Sequence, residues 1–447
     1  MPPIVEFNRM KTICLYFQIH QPFRLKRYRF SNIGYDHYYY DDFANEDIMQ
    51  RIAERSFVPA NRLMLDIINE HKGKFKVAFS ISGTALEQLE VYSPEVIDGF
   101  KELAKTGCVE FLAETYSHSL ASLADPVEFE LQVKAHSKKV ESLFGQKPKV
   151  FRNTELIYSD EIAGIVDKLG FRGVLTEGAK HILGWKSPNY LYQSATNPKL
   201  RILLRNSRFS NDISYRFAEY GWKEYPLTAD KFIGWIAQTP ENEQLINLFM
   251  NYEVLGNLHN RSTGIFDFFK ALPSFAAKNQ ISFSTPSDVL NTLKPVDSIT
   301  VTDPISWSGE ESDTTAWLGN SLQQECLREL YKISERVRMT ESRRIKQDWS
   351  YLQTSDHFFY MSTKILGDGP SPFSPYPSPY EAFNNYMNII SDFTERVFAE
   401  YPSSIENEEL NGLLKTIHSQ AEEIEKLQDE VKKLKARKIK QGEPGSK

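Results

Sequence analysis

Short, nearly continuous apolar runs, each separated from the next by a stretch of helical periodicity, restrict the fold of this chain more than any other feature. Residues 11–19 (Lys-Thr-Ile-Cys-Leu-Tyr-Phe-Gln-Ile) are almost uniformly apolar. Such a run suits a strand buried on both faces, as in a parallel sheet or a barrel. Pro22 cannot donate to a ladder, so the strand ends at His20-Gln21-Pro22. Further strands are predicted at 74–81, 109–113, 149–153, 173–177, 200–205, 245–251 and 281–284. Helical patterns fall at 58–71, 84–106, 126–144 and 159–169, with Ser93-Pro94-Glu95 as a helix start. Buried strands alternating with helices predict an α/β barrel, whose functional side chains collect at the C-terminal strand ends.

From about residue 290 the strand signal fades. Helices are predicted at 313–345, 348–365 and 380–400, with a proline-rich loop at 367–380. Beyond them, Leu410, Ile417, Ile424 and Val431 recur every seven residues, and Leu413, Gln420, Leu427 and Leu434 form a second seam. Mostly β-branched residues at one seam position and mostly Leu at the other favour a parallel two-stranded coiled coil. A homodimer through residues 410–434 is therefore expected, with 438–447 disordered. The predicted organisation is a lead at 1–10, a barrel at 11–290, a helical domain at 291–402, a coiled-coil helix at 403–437 and a tail.

Composition narrows the function classes. Net charge is −6, and the one Lys-rich stretch lies near the C-terminus, so nucleic acid is not an expected partner. The three cysteines (Cys14, Cys108, Cys326) are far apart and include no CxxC, which fits a reducing compartment and argues against a cysteine zinc site. The N-terminus lacks a basic start followed by an apolar run, and no run of about 18 apolar residues occurs, so no membrane span and a cytoplasmic location are expected. Aromatic residues make up 13 % of the chain, enough for both a core and ring-lined clefts. No cofactor or metal is predicted.

Two segments carry chemistry. Phe151-Arg152-Asn153-Thr154-Glu155-Leu156 puts a glutamate directly after a predicted strand, and Leu248-Phe-Met-Asn251-Tyr-Glu253 ends another strand in polar residues. Together they resemble the two catalytic segments of glycoside hydrolase family 57, the group of α-amylases and 4-α-glucanotransferases. The resemblance covers about residues 11–390. It implies an incomplete seven-stranded (β/α)7 barrel followed by a helical domain, α-1,4-glucan substrates, and Glu155 in the position of the nucleophile. At the position of the family's general acid/base aspartate this chain has Asn251. An amide cannot exchange a proton as a carboxyl group does near neutral pH. The surrounding Val254-Leu255-Gly256-Asn257-Leu258 also departs from the family pattern.

The resemblance extends to other segments. His20-Gln21-Pro22 is similar to the first motif, where the histidine contacts the central sugar, and Glu114-Thr-Tyr-Ser-His118 is similar to the second. Trp185, within His181–Ser187, is a candidate sugar platform. Trp307 resembles the tryptophan that closes the cleft, although Ser308-Gly309 follows it where the family often has Ala-Asp. Asp356 and His357 are expected to line or brace the site, and Glu253 is a candidate substitute acid. The expected function is recognition of α-1,4-glucans with hydrolysis lost or severely impaired. The alternatives are an active retaining α-amylase or 4-α-glucanotransferase with a substitute acid, a coiled-coil scaffold without sugar activity, and a metal-dependent barrel hydrolase using His20, His118, Asp125 and His181.

Overall fold

The computed structural model describes residues 10–364 and 374–400, and individual residues between Leu413 and Val431. The predicted lead at 1–9, part of the proline-rich loop, the heptad positions Leu410 and Leu434 and the terminal tail lie outside the described residues.

The apolar runs become strands β1 (Thr12–Ile19), β2 (Val77–Ile81), β3 (Val109–Phe111), β4 (Val150–Arg152), β5 (Gly173–Glu177), β7 (Arg201–Arg205), β8 (Leu245–Asn251) and β9 (Ser282–Phe283). Two short strands escaped prediction, β6 (Leu191–Ser194) and β10 (Ser298–Ile299). They carry no apolar run and are held instead by pairing, β6 antiparallel to β7 and β10 parallel to β6.

Seven parallel strands surround one interior in the order β8, β1, β2, β3, β4, β5, β7. Between β3 and β4 the ladder narrows to the parallel bridge Ala113↔Phe151. Between β7 and β8 it is replaced by three hydrogen bonds: Asn206 N to Asn247 O (2.9 Å), Asn247 Nδ2 to Leu204 O (2.8 Å) and Arg205 Nε to Phe249 O (2.9 Å). The Asn247 amide thus does in part what a ladder would do, satisfying a buried carbonyl at the seam. One edge of β1 pairs along β8, and the other is shared between β2 and β9.

Strand periodicity sorts the side chains. Cys14, Tyr16, Leu175, Leu203, Leu245 and Phe249 fill the barrel interior. Their neighbours Ile13, Leu15, Phe17, Leu248 and Met250 face outward under the surrounding helices. Gln18 continues the inward row of β1 and stands in register with Asn251 of β8, so both side chains face the mouth of the barrel. Gly256 fixes the loop beyond β8. It adopts φ +102°, and a Cβ there would stand 2.0 Å from the Arg55 carbonyl oxygen.

The helical signals shorten where caps intervene. The predicted helix at 84–106 divides into Gly83–Tyr92 and Pro94–Lys105 at Ser93. The predicted 313–345 helix is broken into Thr315–Leu318, Ser321–Tyr331 and Ser334–Met339. Asn320 caps the middle piece in a reciprocal box with Gln323, and Thr340 leaves the last piece in an extended conformation. The predicted 348–365 helix is replaced by Arg343–Leu352 and Ser355–Phe359, and Pro379–Glu400 follows. These helices share one core with the β4–β5–β7 side of the barrel, through residues such as Phe151, Ile202, Trp317, Tyr386 and Phe393. In the tail, Leu413, Ile417, Ile424, Leu427 and Val431 are helical and exposed. Among the described residues no helix is long and apolar enough to cross a membrane.

Candidate active site

Because the barrel strands are parallel, their C-terminal ends share one mouth, and most polar residues singled out in the sequence meet there. Glu155 sits in the turn after β4 with φ 53° and ψ 26°, and Leu156 follows at φ 54°. Consecutive left-handed residues without a glycine are a strained arrangement that surrounding contacts must hold. Here Leu156 N donates to Asn153 O (3.0 Å) and Ile157 N to Thr154 O (2.9 Å), while Asn153 Nδ2 reaches Ile157 O (3.0 Å).

The Glu155 carboxylate is held on both oxygens. Oε1 lies 3.2 Å from His118 Nε2 and accepts from Ser355 Oγ at 3.1 Å, and Oε2 accepts from Trp307 Nε1 at 2.6 Å. His118, also left-handed at φ 51°, has its other ring nitrogen 3.1 Å from Glu114 Oε2. Glu114 is fully buried and lies 4.0 Å from Arg152 Nη1, and Arg152 Nη2 donates to Gln18 Oε1. Burial opposes the charge on His118, but its hydrogen bonds to Glu114 and Glu155 and their charges outweigh that and lift its pKa to about 9. Burial likewise opposes the carboxylates of Glu155 and Glu114. The hydrogen bond and charge of His118, helped by Arg152, overcome it and hold both below the usual range. Glu155 is therefore an ionised carboxylate at neutral pH, fixed by three donors.

His20 stacks on His118 with ring centroids 4.0 Å apart. Burial and the positive His118 depress its pKa, which outweighs the opposing pull of Asp356. Its two contacts fit a neutral ring. Nδ1 lies 2.7 Å from Ser82 Oγ, which can donate, and Nε2 lies 2.9 Å from Asp356 Oδ2, which accepts. Burial works against the Asp356 charge, but His20 and His118 hold its carboxyl below the usual range.

A second carboxyl lies at the end of β8. Glu253 Oε1 accepts from Gln21 Nε2 (2.6 Å) and Oε2 from Asn257 Nδ2 (2.5 Å), while Gln21 Oε1 accepts from Arg24 Nη2 (2.8 Å). Burial raises the Glu253 pKa. Asn251 is exposed at the strand end, with no hydrogen-bond partner for its side chain among the described residues.

The structure brings Glu155, His118, Trp307, His20 and Asp356 into one connected group, with Gln21 and Glu253 as a second pair on the same face. It does not join Trp185 to either. That ring is 92 % exposed just beyond the helix Lys180–Leu183, outside the contacts of the Glu155 group. His357 braces the site from behind: its Nε2 lies 3.2 Å from Tyr351 O, its ring packs on Tyr386, and burial lowers its pKa to about 4. The metal constellation is not assembled. Asp125 caps the helix Pro126–Phe144 and pairs with Arg338 at 2.8 Å, and His181 is exposed. Among the described residues no group of three His, Cys, Asp or Glu side chains is arranged to hold a metal.

Glu114, Arg152 and Ser355 were not singled out from the sequence. Arg152 is a charge at an inward position of a strand whose Val150 lines the interior, so strand alternation could have found it. Ser355, which reaches Glu155 across 200 residues, directly precedes the singled-out Asp356, and that neighbourhood is the signal that could have found it.

The sequence and fold of the chain are similar to those of known proteins. A family model described as Glycosyl hydrolase family 57 matches residues 14–302. A protein of Methanocaldococcus jannaschii, provisionally named an alpha-amylase, is 41 % identical over 393 residues that span 84 % of this chain and 83 % of that one. Among solved structures, the GH57-type branching enzyme of Pyrococcus horikoshii superposes with a TM-score of 0.63 at 14 % identity, covering 91 % of this chain and 94 % of the other. The alpha-amylase AmyC of Thermotoga maritima superposes at 0.61 and 13 % identity, covering 91 % and 96 %. The 4-alpha-glucanotransferase of Thermococcus litoralis superposes at 0.57 and 14 %, covering 86 % and 60 %. At these identities the structural likeness is one of fold.

Proposed function

The chain belongs to glycosyl hydrolase family 57, and from that premise we propose that it is an α-amylase-like protein that recognises α-1,4-glucans while its hydrolysis is severely slowed or lost. One observation carries the reading. The position similar to the family's general acid/base is the amide Asn251, exposed at the mouth and without a side-chain partner among the described residues, whereas Glu155 keeps three hydrogen-bond partners. Retaining glycoside cleavage needs one carboxylate to attack and another carboxyl to protonate the departing oxygen and later activate water. Glu155 is the nucleophile, and at 251 the proton donor is missing, at a cost of about 10²–10⁴ in rate. Binding needs no such donor. His20, Gln21, His118, Trp307 and Asp356 form the sugar-contacting face, and Glu253 stands beside it.

Asn251→Asp is expected to raise maltoheptaose hydrolysis, read by product chromatography, by less than about 10³-fold, because Asn257, Leu258 and Ser308 also depart from the family pattern. A gain above about 10³-fold would contradict this by showing that the rest of the site is intact.

A second reading has one observation in its favour. Burial keeps Glu253 more easily protonated than an ordinary glutamate, as a general acid requires. On that reading the chain is an active retaining α-glucan hydrolase or transferase with Glu253 as substitute acid. Its commitment to Gln21 and Asn257 weighs against this.

The tail serves association. Exposed Leu413, Ile417, Ile424, Leu427 and Val431 on helical residues leave an apolar stripe for a second copy, in a parallel coiled coil over 410–434. Deleting residues 405–447 is expected to halve the mass measured by sedimentation equilibrium, and an unchanged mass would refute the dimer.

A further inference from the structure

A depression of about 910 Å³ opens beside the barrel mouth, between the helix Gly83–Tyr92, the segment around 23–42 and the helix Arg343–Leu352. It is separate from the Glu155 group. Phe23 stacks on Tyr351 at 3.7 Å in its wall, and Gln88 reaches back through Nε2 to the Gln21 carbonyl (2.9 Å). Tyr38, Tyr40 and Tyr92 supply further rings.

The charges in this wall are largely spent within the protein. Asp348 pairs with Arg396 (2.8 Å), Glu90 with Lys139 (2.6 Å), and Asp42 accepts from Tyr38 Oη (2.6 Å). Glu87 accepts from the hydroxyls of Tyr116 (2.6 Å) and Tyr351 (2.5 Å). Among the described residues Gln88 Oε1, fully buried, has no partner, and the exposed Arg343 makes no ion pair or hydrogen bond. A buried acceptor without a partner is costly unless a ligand or water satisfies it. The segment leading into the depression also holds Phe30, Tyr35 and Phe43 at 80 %, 89 % and 82 % exposure. So many exposed rings on one short segment mark an interaction surface. Rings, one free acceptor, one free guanidinium and otherwise paired charges suit an uncharged, hydroxyl-rich ligand.

We infer that this depression is a second, non-catalytic site for an α-glucan chain, which lays glucose rings along Tyr38, Tyr92 and the Phe23–Tyr351 wall. The choice of glucan rests on the function proposed for the Glu155 cleft. Occupancy of both would let one polymer be held at two points, so that the second contact forms at high effective concentration.

Calorimetric titration of the full chain with maltoheptaose tests this, comparing wild type with Tyr38→Ala, Val91→Arg and Trp307→Ala. Val91 lines the depression and is largely exposed, so an arginine there fills space without entering the core. Two sites per chain are expected in wild type. One should remain in each variant, with binding to the lost site weakened at least tenfold. A single wild-type site that survives Tyr38→Ala and Val91→Arg but disappears in Trp307→Ala would overturn the second site and leave the cleft reading standing. A single site lost in the depression variants and untouched by Trp307→Ala would support the depression and count against the cleft. No binding at all would overturn both.

Discussion

Incubated with α-maltosyl fluoride, the chain is expected to gain the mass of one maltosyl unit on Glu155, and Glu155→Gln to gain none. Fluoride departs without being protonated, so this donor bypasses the step that Asn251 cannot perform and asks only whether the nucleophile works. On the proposed reading it does. The carboxylate is ionised, aimed by a strained turn and fixed by His118, Ser355 and Trp307. The adduct should persist, because water attack on it also needs a base at 251. Glutamine keeps the size of the side chain but cannot supply the attacking oxygen, so adduct formation should fall by about 10⁴-fold or more, roughly 5.5 kcal/mol of transition-state stabilisation. Intact-mass spectrometry reads the result directly. Equal labelling of both forms would place the nucleophile elsewhere.

The second large effect is expected from Glu114→Gln. Glu114 is a positioning residue with no solvent contact, and its partners are the charged His118 and, at 4.0 Å, Arg152. Removing one member of a buried charge group leaves the others uncompensated and costs about 3–5 kcal/mol. Urea unfolding should show that loss. The pH dependence adds a signature that a simple packing defect would lack. His118 has a folded pKa raised to about 9, above the unfolded value of about 6.5. Its stabilising contribution is therefore fully present below about pH 6.5 and lost as pH rises through about 9. In Glu114→Gln the His118 titration, followed by NMR, should move down and the alkaline fall in stability should flatten. A variant that unfolds earlier while His118 titrates unchanged would show that Glu114 only fills space. Glu114 and Glu155, both held low, contribute in the opposite sense, with stability present above their unfolded pKa values and lost as pH falls through the folded ones.

Much of this architecture is legible in the sequence, because a parallel barrel strand must be apolar on both faces and then stop. That requirement marks Thr12–Ile19 and Leu245–Asn251 without any structural knowledge. It fails for Leu191–Ser194 and Ser298–Ile299, which owe their conformation to a neighbouring strand and not to their own pattern. Helix lengths were overestimated where a cap residue interrupts a continuing apolar periodicity, as at Asn320. At the site, Glu155, His20, His118, Trp307 and Asp356 were found through motifs that lie far apart in the chain. What joins them was not legible. The His118–Glu114 contact, the Arg152 charge behind it and the Ser355 hydroxyl are set by tertiary packing.

The central claim is that the cleft has kept its glucan-holding carboxylate and lost its proton donor. Calorimetry and product analysis with maltoheptaose, run on one preparation of wild type beside Glu155→Gln, test it most directly. The account predicts that wild type binds the oligosaccharide and releases no shorter products. Turnover by wild type that disappears in Glu155→Gln would contradict it, because another group would then be delivering the proton that Asn251 cannot.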